Sequence, residues 1–191
     1  MNTAGLKMVE PSTAYDAKGL VKAAIRDPDP VLFFEHKKLY RLPRLREEIP
    51  EDDYTVEIGK ARTRREGRDL SVITFGAQVL TALDAAEELE KEGLDVEVVD
   101  LRTLAPVDKE AILATAKKTS KILILHEASR TGGIGGEIAA TICEEAFEWL
   151  DAPVVRVAAT DTPVPYSPPL EEYHLPQVKD VVDAARKLAA Y

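Results

Sequence analysis

The sequence predicts an α/β protein: a three-layer sandwich with a mostly parallel sheet, preceded by a partial strand–helix–strand unit. From Asp69 onward, short apolar runs alternate with amphipathic segments that are long enough to be crossover helices. Residues 121–126 are almost continuously apolar, which is typical of a strand covered on both faces. A chain of 191 residues, 45% hydrophobic and 31% charged, is large enough to bury its own core.

The first predicted elements form a single strand–helix–strand unit. Thr13 supplies a hydroxyl to cap the helix, and Asp27-Pro28-Asp29-Pro30 ends it, because each proline disfavours a helical residue before it. Two strands make a poor independent sheet, so we expect residues 1–40 to be the remnant of a larger domain. The predicted strands are 6–9 and 31–34, and the predicted helix is 15–25.

Residues 41–68 are rich in charge and poor in aliphatic side chains. They include Pro43, Pro50 and the acidic run Glu51-Asp52-Asp53. A connection of this length is uncommon inside a compact domain, so we predict an interdomain linker. Within it, we expect residues 54–60 to pair as an edge strand.

Residues 69–191 are predicted to form the three-layer domain. Strands separated by helices of this length imply parallel pairing with right-handed crossovers. The predicted strands are 70–75, 96–101, 121–126 and 154–158. The predicted helices are 79–89, 106–117, 138–150 and 176–190.

The formal net charge of −9 argues against nucleic acid or an anionic membrane as the main partner. Residues 1–68 contain 14 Lys and Arg against 12 Asp and Glu, whereas residues 69–191 contain 11 against 22. Such an acidic surface either keeps the protein soluble or meets a basic partner, and composition alone fits both. No apolar stretch approaches a membrane span, and the opening residues lack a signal-peptide pattern. With Cys143 as the single cysteine, we expect no disulfide framework and a reducing, cytoplasmic setting.

Residue spacing alone predicts no catalytic centre. The glycine loop at residues 131–136 joins a strand to a helix, but its order Gly-Gly-Ile-Gly-Gly does not match the dinucleotide fingerprint G-x-G-x-x-G. Close backbone packing is therefore its favoured role. His36, His126 and His174 share no metal-ligand spacing. His126 ends a strand, where such folds bind ligands, yet a hydrogen-bonded interface residue is the favoured interpretation.

The end of the first helix offers oxygen ligands for a cation. The last carbonyl groups of a helix lack partners, and two carboxylates, Asp27 and Asp29, follow Ala24 and Ile25. Hard cations prefer oxygen ligands of this kind. A proline-stopped acidic turn has the same composition, and the residue pattern by itself favours that simpler interpretation.

The helix predicted at 138–150 carries an acidic row beside its apolar face. Like charges three and four residues apart destabilise a helix slightly, so the row either has a binding function or is a simple solvated face. The apolar residues are Ile138, Ile142, Ala146 and Trp149, and the acidic residues are Glu144, Glu148 and Asp151.

Several segments resemble one protein family. Residues 5–20, G-L-K-M-V-E-P-S-T-A-Y-D-A-K-G-L, are similar to the segment P-G-L-K-V-V-x-P-S-T-P-Y-D-A-K-G-L of 2-oxoacid dehydrogenase β subunits. The resemblance covers essentially the whole chain. It points to the β subunit of the thiamine diphosphate-dependent component of pyruvate or branched-chain 2-oxoacid dehydrogenase complexes. Further similar segments, in the same order, are F-E-H-K-K-L-Y-R at 34–41, I-L-H-E-A at 124–128, L-D-A-P at 150–153 and D-T-P-V-P-Y at 161–166.

The resemblance implies that residues 69–191 are a transketolase-type carboxyl-terminal domain and that residues 1–40 end a pyrimidine-binding domain. Family members carry a long preceding portion, which contains the glutamate that activates the cofactor and a histidine near the substrate. We therefore expect either a truncated product or a chain whose other half is a separate polypeptide. No catalytic residue is assigned to this chain, its cofactor-binding residues are unknown, and we expect it to be inactive when isolated.

The resemblance also implies bound groups. In the family, the segment matching Ala24, Ile25, Asp27 and Asp29 holds a structural potassium ion. The complete enzyme uses thiamine diphosphate with Mg²⁺. We therefore expect a metal role for this segment, although its residue pattern alone favours an ordinary turn.

The implied partners are an α subunit and a second β subunit in a heterotetramer, together with the acyltransferase core. Asp151 matches a family aspartate near the contact with the basic subunit-binding domain of that acyltransferase. We therefore expect Glu144, Glu148 and Asp151 to dock this partner. Two other functions stay open: a non-catalytic docking module, and a related acetoin-cleaving or transketolase-like thiamine enzyme.

Overall fold

The computed structural model describes residues 3–191 and has an α/β architecture. No helix in this described part is both long enough and apolar enough to cross a membrane. The strands are β1 (Lys7–Val9), β2 (Val31–Phe33), β3 (Arg62–Arg65), β4 (Leu70–Thr74), β5 (Val96–Asp100), β6 (Thr103–Ala105), β7 (Ile122–Ser129) and β8 (Val155–Ala159). The helices are α1 (Ala14–Arg26), α2 (Gln78–Glu90), α3 (Lys109–Thr119), α4 (Ile134–Glu145), α5 (Pro168–His174) and α6 (Val178–Ala189).

The main sheet has the strand order β3-β5-β4-β7-β8. β4 pairs in parallel with β5 and β7, β7 pairs in parallel with β8, and β3 runs antiparallel to β5. The predicted mostly parallel sheet is therefore confirmed. β4, β5 and the first five residues of β7 are buried throughout, as expected for strands covered on both faces.

Helices cover both faces of the main sheet. α2 and α6 pack on one face, in the same apolar cluster as Leu123 and Leu125 of β7. α3 and α4 pack on the other face, with Ile122 and Ile124. Successive side chains of β7 thus enter opposite layers of the core. Each fully buried Leu or Ile contributes roughly 1.5–3 kcal/mol of burial free energy, so the two layers hold helices and sheet together.

A second sheet, in the order β2-β1-β6, joins the N-terminal elements to the main domain. β1 pairs in parallel with β2 and antiparallel with β6, which follows β5 after Arg102 turns the chain at a φ of 56°. α1 begins after Thr13, whose side chain accepts the N–H of Asp16 at 3.2 Å. The strand–helix–strand elements predicted here are confirmed, whereas β6 was not predicted.

A buried ion network also fastens α1 to the main sheet. Arg64 on β3 bonds Asp16 of α1 and donates from its Nε to Asp100 Oδ2 at 3.0 Å. Arg102 donates to Asp16 Oδ1 at 3.0 Å, and the Ser12 hydroxyl donates to Asp100 Oδ2 at 2.6 Å. Burial alone would raise the pKa of Asp16, but the two arginines lower it, whereas burial raises the pKa of Asp100 despite Arg64.

The edge strand predicted at residues 54–60 is wrong in position. The edge strand is β3, and residues 54–60 contain no strand. The Tyr54 ring stacks on Tyr15 with ring centroids 4.5 Å apart, and Val56 is buried against α1. These side chains therefore stabilise the packing of α1 instead of extending the sheet.

The helix predicted at 138–150 ends early, and one helix was missed. α4 stops at Glu145, because Ala146 leaves helical geometry at a φ of −138°, and Phe147–Trp149 form a 3₁₀ turn. Ile138, Ile142 and Ala146 are buried as predicted, but Trp149 is 47% exposed, so its assignment to the apolar face is wrong. α5 lies in a segment for which no element was predicted.

Candidate functional site

Asp27 and Asp29, predicted as ion ligands, lie together at the C-terminal end of α1. Asp27 Oδ1 accepts the N–H of Asp29 at 2.9 Å. The Lys7 ammonium donates to both carboxylate oxygens of Asp27 at 2.7 and 2.8 Å and lies 3.0 Å from Asp29 Oδ2. The hydrogen bonds from Lys7 lower the pKa of Asp27, and the same bonds raise the pKa of Lys7. Two carboxylates therefore converge on one monovalent cation, which the chain itself supplies.

The backbone at this turn offers further oxygen ligands. Ala24 and Ile25 belong to the last turn of α1, where helix carbonyl groups have no intrahelical partner. Within residues 3–191, no three His, Cys, Asp or Glu side chains are grouped to hold a metal ion. The acidic side chains at this turn are those of Asp27 and Asp29, and the Lys7 ammonium contacts both of them.

Asp151, the central predicted docking residue, lines a surface hollow of about 750 Å³. Phe147 and Tyr191 line the same hollow with 73% and 72% of their surface exposed. Asp151 is itself exposed, and its N–H donates to the carbonyl of Ser120 at 2.9 Å. Arg156 also lines the hollow and donates to a backbone carbonyl at 3.2 Å. A carboxylate beside exposed apolar rings suits a cationic group on an apolar stem.

Glu144 and Glu148 do not line this hollow. Both are exposed, but Glu144 lies on α4 whereas Glu148 lies in the 3₁₀ turn beyond its end. The prediction that these residues and Asp151 form one stripe along a helix is therefore wrong, because the helix stops before Glu148. The three residues are exposed on neighbouring segments, and Asp151 is the one that lines the hollow.

Glu10, His36 and Glu127 form a cluster between the two sheets that was not predicted. His36 Nε2 lies 3.1 Å from Glu127 Oε2, and this hydrogen bond raises the pKa of His36. Burial raises the pKa of Glu10 to about 7, and the charge of Glu127 adds to the effect. Gly76, at a φ of 57°, leaves the space for Glu10, since a Cβ there would collide with its carboxyl group.

One sequence signal could have found this cluster. Each of its members follows a predicted strand, at 6–9, 31–34 and 121–126. The carboxyl ends of parallel strands meet at one edge of a sheet, so polar residues there are candidates for proximity. His36 and Glu127, which share the hydrogen bond, lie 91 residues apart in the sequence, and no short-range spacing pattern detects such a pair.

His126 is fully buried beneath the glycine loop. Its Nδ1 donates to the carbonyl of Ala128 at 3.0 Å, whereas its Nε2 has no partner. A Cβ at Gly135 would lie 2.6 Å from that Nε2, so the imidazole ring fills the space that the glycine leaves. This contact supports the packing role predicted for the loop. Burial lowers the pKa of His126, which favours the neutral ring.

The small sheet β2-β1-β6 thus joins the N-terminal elements to a parallel α/β domain. Two family models match the chain: "Transketolase, C-terminal domain" at residues 59–181 and "Transketolase, pyrimidine binding domain" at residues 1–43. The chain belongs to the transketolase C-terminal domain family. The transketolase-type fold predicted from the sequence motifs is therefore confirmed.

The chain is similar to β subunits of 2-oxoacid dehydrogenases. It is 53% identical over 191 residues to the 2-oxoisovalerate dehydrogenase subunit beta of Bacillus subtilis (strain 168), covering 100% of this chain and 58% of the relative. It is 51% identical over 187 residues to the pyruvate dehydrogenase E1 component subunit beta of the same strain, covering 98% and 57%. The chain thus spans somewhat more than half the length of these relatives, and the predicted resemblance is confirmed.

A solved structure has the same fold. It is described as a split gene transketolase, inactive beta4 tetramer, and it matches with a TM-score of 0.78 at 29% sequence identity. The match covers 97% of this chain and 58% of that chain. The N-terminal elements and the main domain therefore recur together in another protein.

Proposed function

We propose that this chain is the β-subunit portion of a thiamine diphosphate-dependent 2-oxoacid dehydrogenase. Such an enzyme oxidatively decarboxylates pyruvate or a branched-chain 2-oxoacid and transfers the acyl group to lipoyl groups. The observation that carries the proposal is the identity of 53% and 51% to β subunits of both kinds over nearly the whole chain. Thiamine diphosphate with Mg²⁺ supplies the decarboxylation chemistry, and we assign no catalytic residue to this chain. Its proposed location is the cytoplasm.

The first proposed role is assembly. Residues 1–40 are the end of a pyrimidine-binding domain, and residues 69–191 are the carboxyl-terminal domain. The connecting residues 41–68 also contribute β3 to the main sheet. β2 lies at an edge of the small sheet, where its neighbour Phe34 is 46% exposed. An unpaired strand edge accepts a further strand, so this edge suits the remaining part of the same domain.

The same assembly includes an α subunit and a second β subunit. The segment around α5 carries four large apolar residues that are more than half exposed. A cluster of this kind is unusual on a monomer and supports a subunit contact. The residues are Val164, Tyr166, Leu170 and Tyr173.

The second proposed role is ion binding at the end of α1. Ala24 and Ile25 contribute carbonyl oxygens, and Asp27 and Asp29 contribute the negative charge. The convergence of both carboxylates on the Lys7 ammonium supports a preference for a monovalent cation. Potassium at this turn would fix the start of β2 relative to α1.

The third proposed role is docking to the acyltransferase subunit-binding domain. Asp151 lines the surface hollow, whereas Glu144 and Glu148 are exposed outside its lining and would attract the basic partner from a distance. Exposed charges steer association and make binding sensitive to salt, because screening acts within about 8 Å at physiological ionic strength. A central charge that becomes buried on binding contributes more than one at the rim.

A related transketolase-like enzyme is the second candidate. The observation that favours it is the split gene transketolase structure, which covers 97% of this chain. The lower identity of 29%, against 53% for the 2-oxoisovalerate dehydrogenase subunit, favours the dehydrogenase.

Co-expression with the α subunit of a 2-oxoacid dehydrogenase from the same organism tests the proposal. We expect the two chains to co-purify as a stoichiometric complex, and we expect the isolated chain to bind thiamine diphosphate more weakly than micromolar in calorimetric titration. A chain that binds the acyltransferase domain but no α subunit would be a docking module. Ketose transfer without 2-oxoacid decarboxylation in the assembled complex would favour the transketolase-like alternative.

A further inference from the structure

Four buried side-chain atoms have no hydrogen-bond partner in residues 3–191, and all lie near the carboxyl ends of β4 and β7. The chain passes from β4 to β5 on one side and returns to β7 on the other. The ends of β4 and β7 are thus the topological switch point, where open parallel sheets bind ligands. Native folds rarely leave such atoms unpaired, so a group of four requires an explanation. The atoms are Thr74 Oγ1, Gln78 Oε1, His126 Nε2 and His36 Nδ1.

A cavity of about 110 Å³ lies at this switch point. Gln78, the first residue of α2, lines the cavity; it is only 5% exposed, and its amide oxygen has no partner. By rotating, a side-chain amide presents either its oxygen or its N–H donors to the same space. His36 also lines the cavity with its unpaired Nδ1. The volume corresponds to about four water molecules or one small oxyanion.

The charges around the cavity favour an anion. α2 has 13 residues, no side-chain cap and no acidic residue in its own first turn. The Glu10 carboxyl group lies beside Gly76 at this helix end, but burial raises its pKa to about 7, so much of it is neutral and leaves the helix dipole only partly compensated. Lys38 lines the cavity and is exposed, whereas Arg44 is held by Asp84 at 2.7 Å. Glu127 is acidic, but its hydrogen bond to His36 Nε2 pairs it with a ring whose pKa it raises. A protonated His36 presents Nδ1–H as a donor without an acceptor.

We propose that this cavity binds a small oxyanion, a phosphate or a carboxylate group. The anion accepts hydrogen bonds from the Gln78 amide and from Nδ1–H of His36, and it lies near the Lys38 ammonium and the N-terminal end of α2. This occupancy gives His36 Nδ1–H an acceptor and, once the Gln78 amide has rotated, gives its N–H donors an acceptor as well. The site is independent of the proposed dehydrogenase function, because it shares no residue with the ion-binding turn or the docking hollow.

Titration of the ¹⁵N-labelled full chain with inorganic phosphate, and separately with acetate, tests the site by NMR at constant ionic strength. We expect saturable shifts of the backbone amides of Ala77 and Gln78, with a dissociation constant on the order of 1 mM. A hydrogen bond to a charged group is worth a factor of about ten or more, so Gln78→Leu should weaken binding by at least that much. The phosphate and acetate arms identify which oxyanion the cavity prefers.

Two neighbouring lysines allow a matched comparison, because Lys38 lines the cavity and Lys37 does not. Lys38→Ala should weaken binding roughly three- to tenfold, whereas Lys37→Ala, which removes the same charge away from the cavity, should stay within about twofold. If Gln78→Leu does not fold, this pair decides the question. Equal dissociation constants for both lysine variants would overturn the proposal. An absence of saturable shifts for both anions up to about 50 mM would overturn it as well.

Discussion

The Arg64→Met variant should destabilise the fold strongly, because it leaves buried carboxylates without their shared cation. Arg64 is 11% exposed, and the side chains of its partners Asp16 and Asp100 are 0% exposed. Asp16 keeps Arg102 at 3.0 Å, whereas Asp100 keeps the Ser12 hydroxyl at 2.6 Å and a backbone N–H at 3.1 Å. Breaking a buried ion pair from one side costs about 3–5 kcal/mol. Since Asp16 retains Arg102, we expect a loss at the low end of this range, about 3 kcal/mol in the free energy of unfolding. This loss corresponds to a fall in Tm of roughly 6–12 °C.

Urea unfolding followed by far-UV circular dichroism measures this loss. Arg68→Met is the matched control, because Arg68 is 87% exposed and its removal should leave stability unchanged within experimental error. The double variant Arg64→Met/Asp100→Asn should recover part of the loss, because it removes the uncompensated buried charge. A loss below about 1 kcal/mol for Arg64→Met, or no recovery in the double variant, would refute the reasoning.

Three further predictions concern pH, potassium and docking. The folded pKa of Glu10, about 7, lies above the ordinary value of 4.5, so the folded state binds the proton more tightly and stability falls as pH rises between these values. Glu10→Gln should therefore stabilise the chain near pH 8 by up to about 3 kcal/mol and much less near pH 5; equal effects in urea unfolding at both pH values would contradict this. Potassium should raise the Tm of the parent chain in a concentration-dependent way. Asp27→Ala should abolish that rise, whereas Lys7→Met should enlarge it because it removes the competing ammonium. The same potassium response in all three proteins would contradict the metal assignment. Asp151→Ala should weaken binding to the acyltransferase subunit-binding domain about tenfold or more in calorimetry, with little change in Tm. An unchanged affinity would show that the docking surface lies elsewhere.

The parallel core could be predicted because its signal is local. β7 was predicted from residues 121–126, because a near-continuous apolar run is typical of a strand in a sheet that helices cover on both faces. α1 was predicted from its apolar spacing, the capping hydroxyl of Thr13 and the prolines after Asp27. The bounds of α1 differ from the prediction by one residue at each end, and β7 begins one residue later and ends three residues later than predicted.

The contacts between distant segments could not be predicted in the same way. Arg64 lies 48 residues from Asp16 and 36 from Asp100, so no pattern in the sequence links them. The early end of α4 depends on the backbone of Ala146, a residue with high helix propensity, and the chain then bonds back from Asp151 to the carbonyl of Ser120. The acidic row was therefore predicted on one helix, whereas its three residues lie on neighbouring segments.

The most direct test of the proposed function is complementation by halves. This chain is combined with an α subunit and with a separate polypeptide that carries the N-terminal part of the Bacillus subtilis 2-oxoisovalerate dehydrogenase β subunit. Release of labelled CO₂ from carboxyl-labelled pyruvate and 2-oxoisovalerate is then measured with thiamine diphosphate and Mg²⁺. We expect CO₂ release that requires all three polypeptides and is absent with this chain alone. Release by this chain alone, or no release from either 2-oxoacid by a complex that has formed and bound the cofactor, would contradict the proposed function.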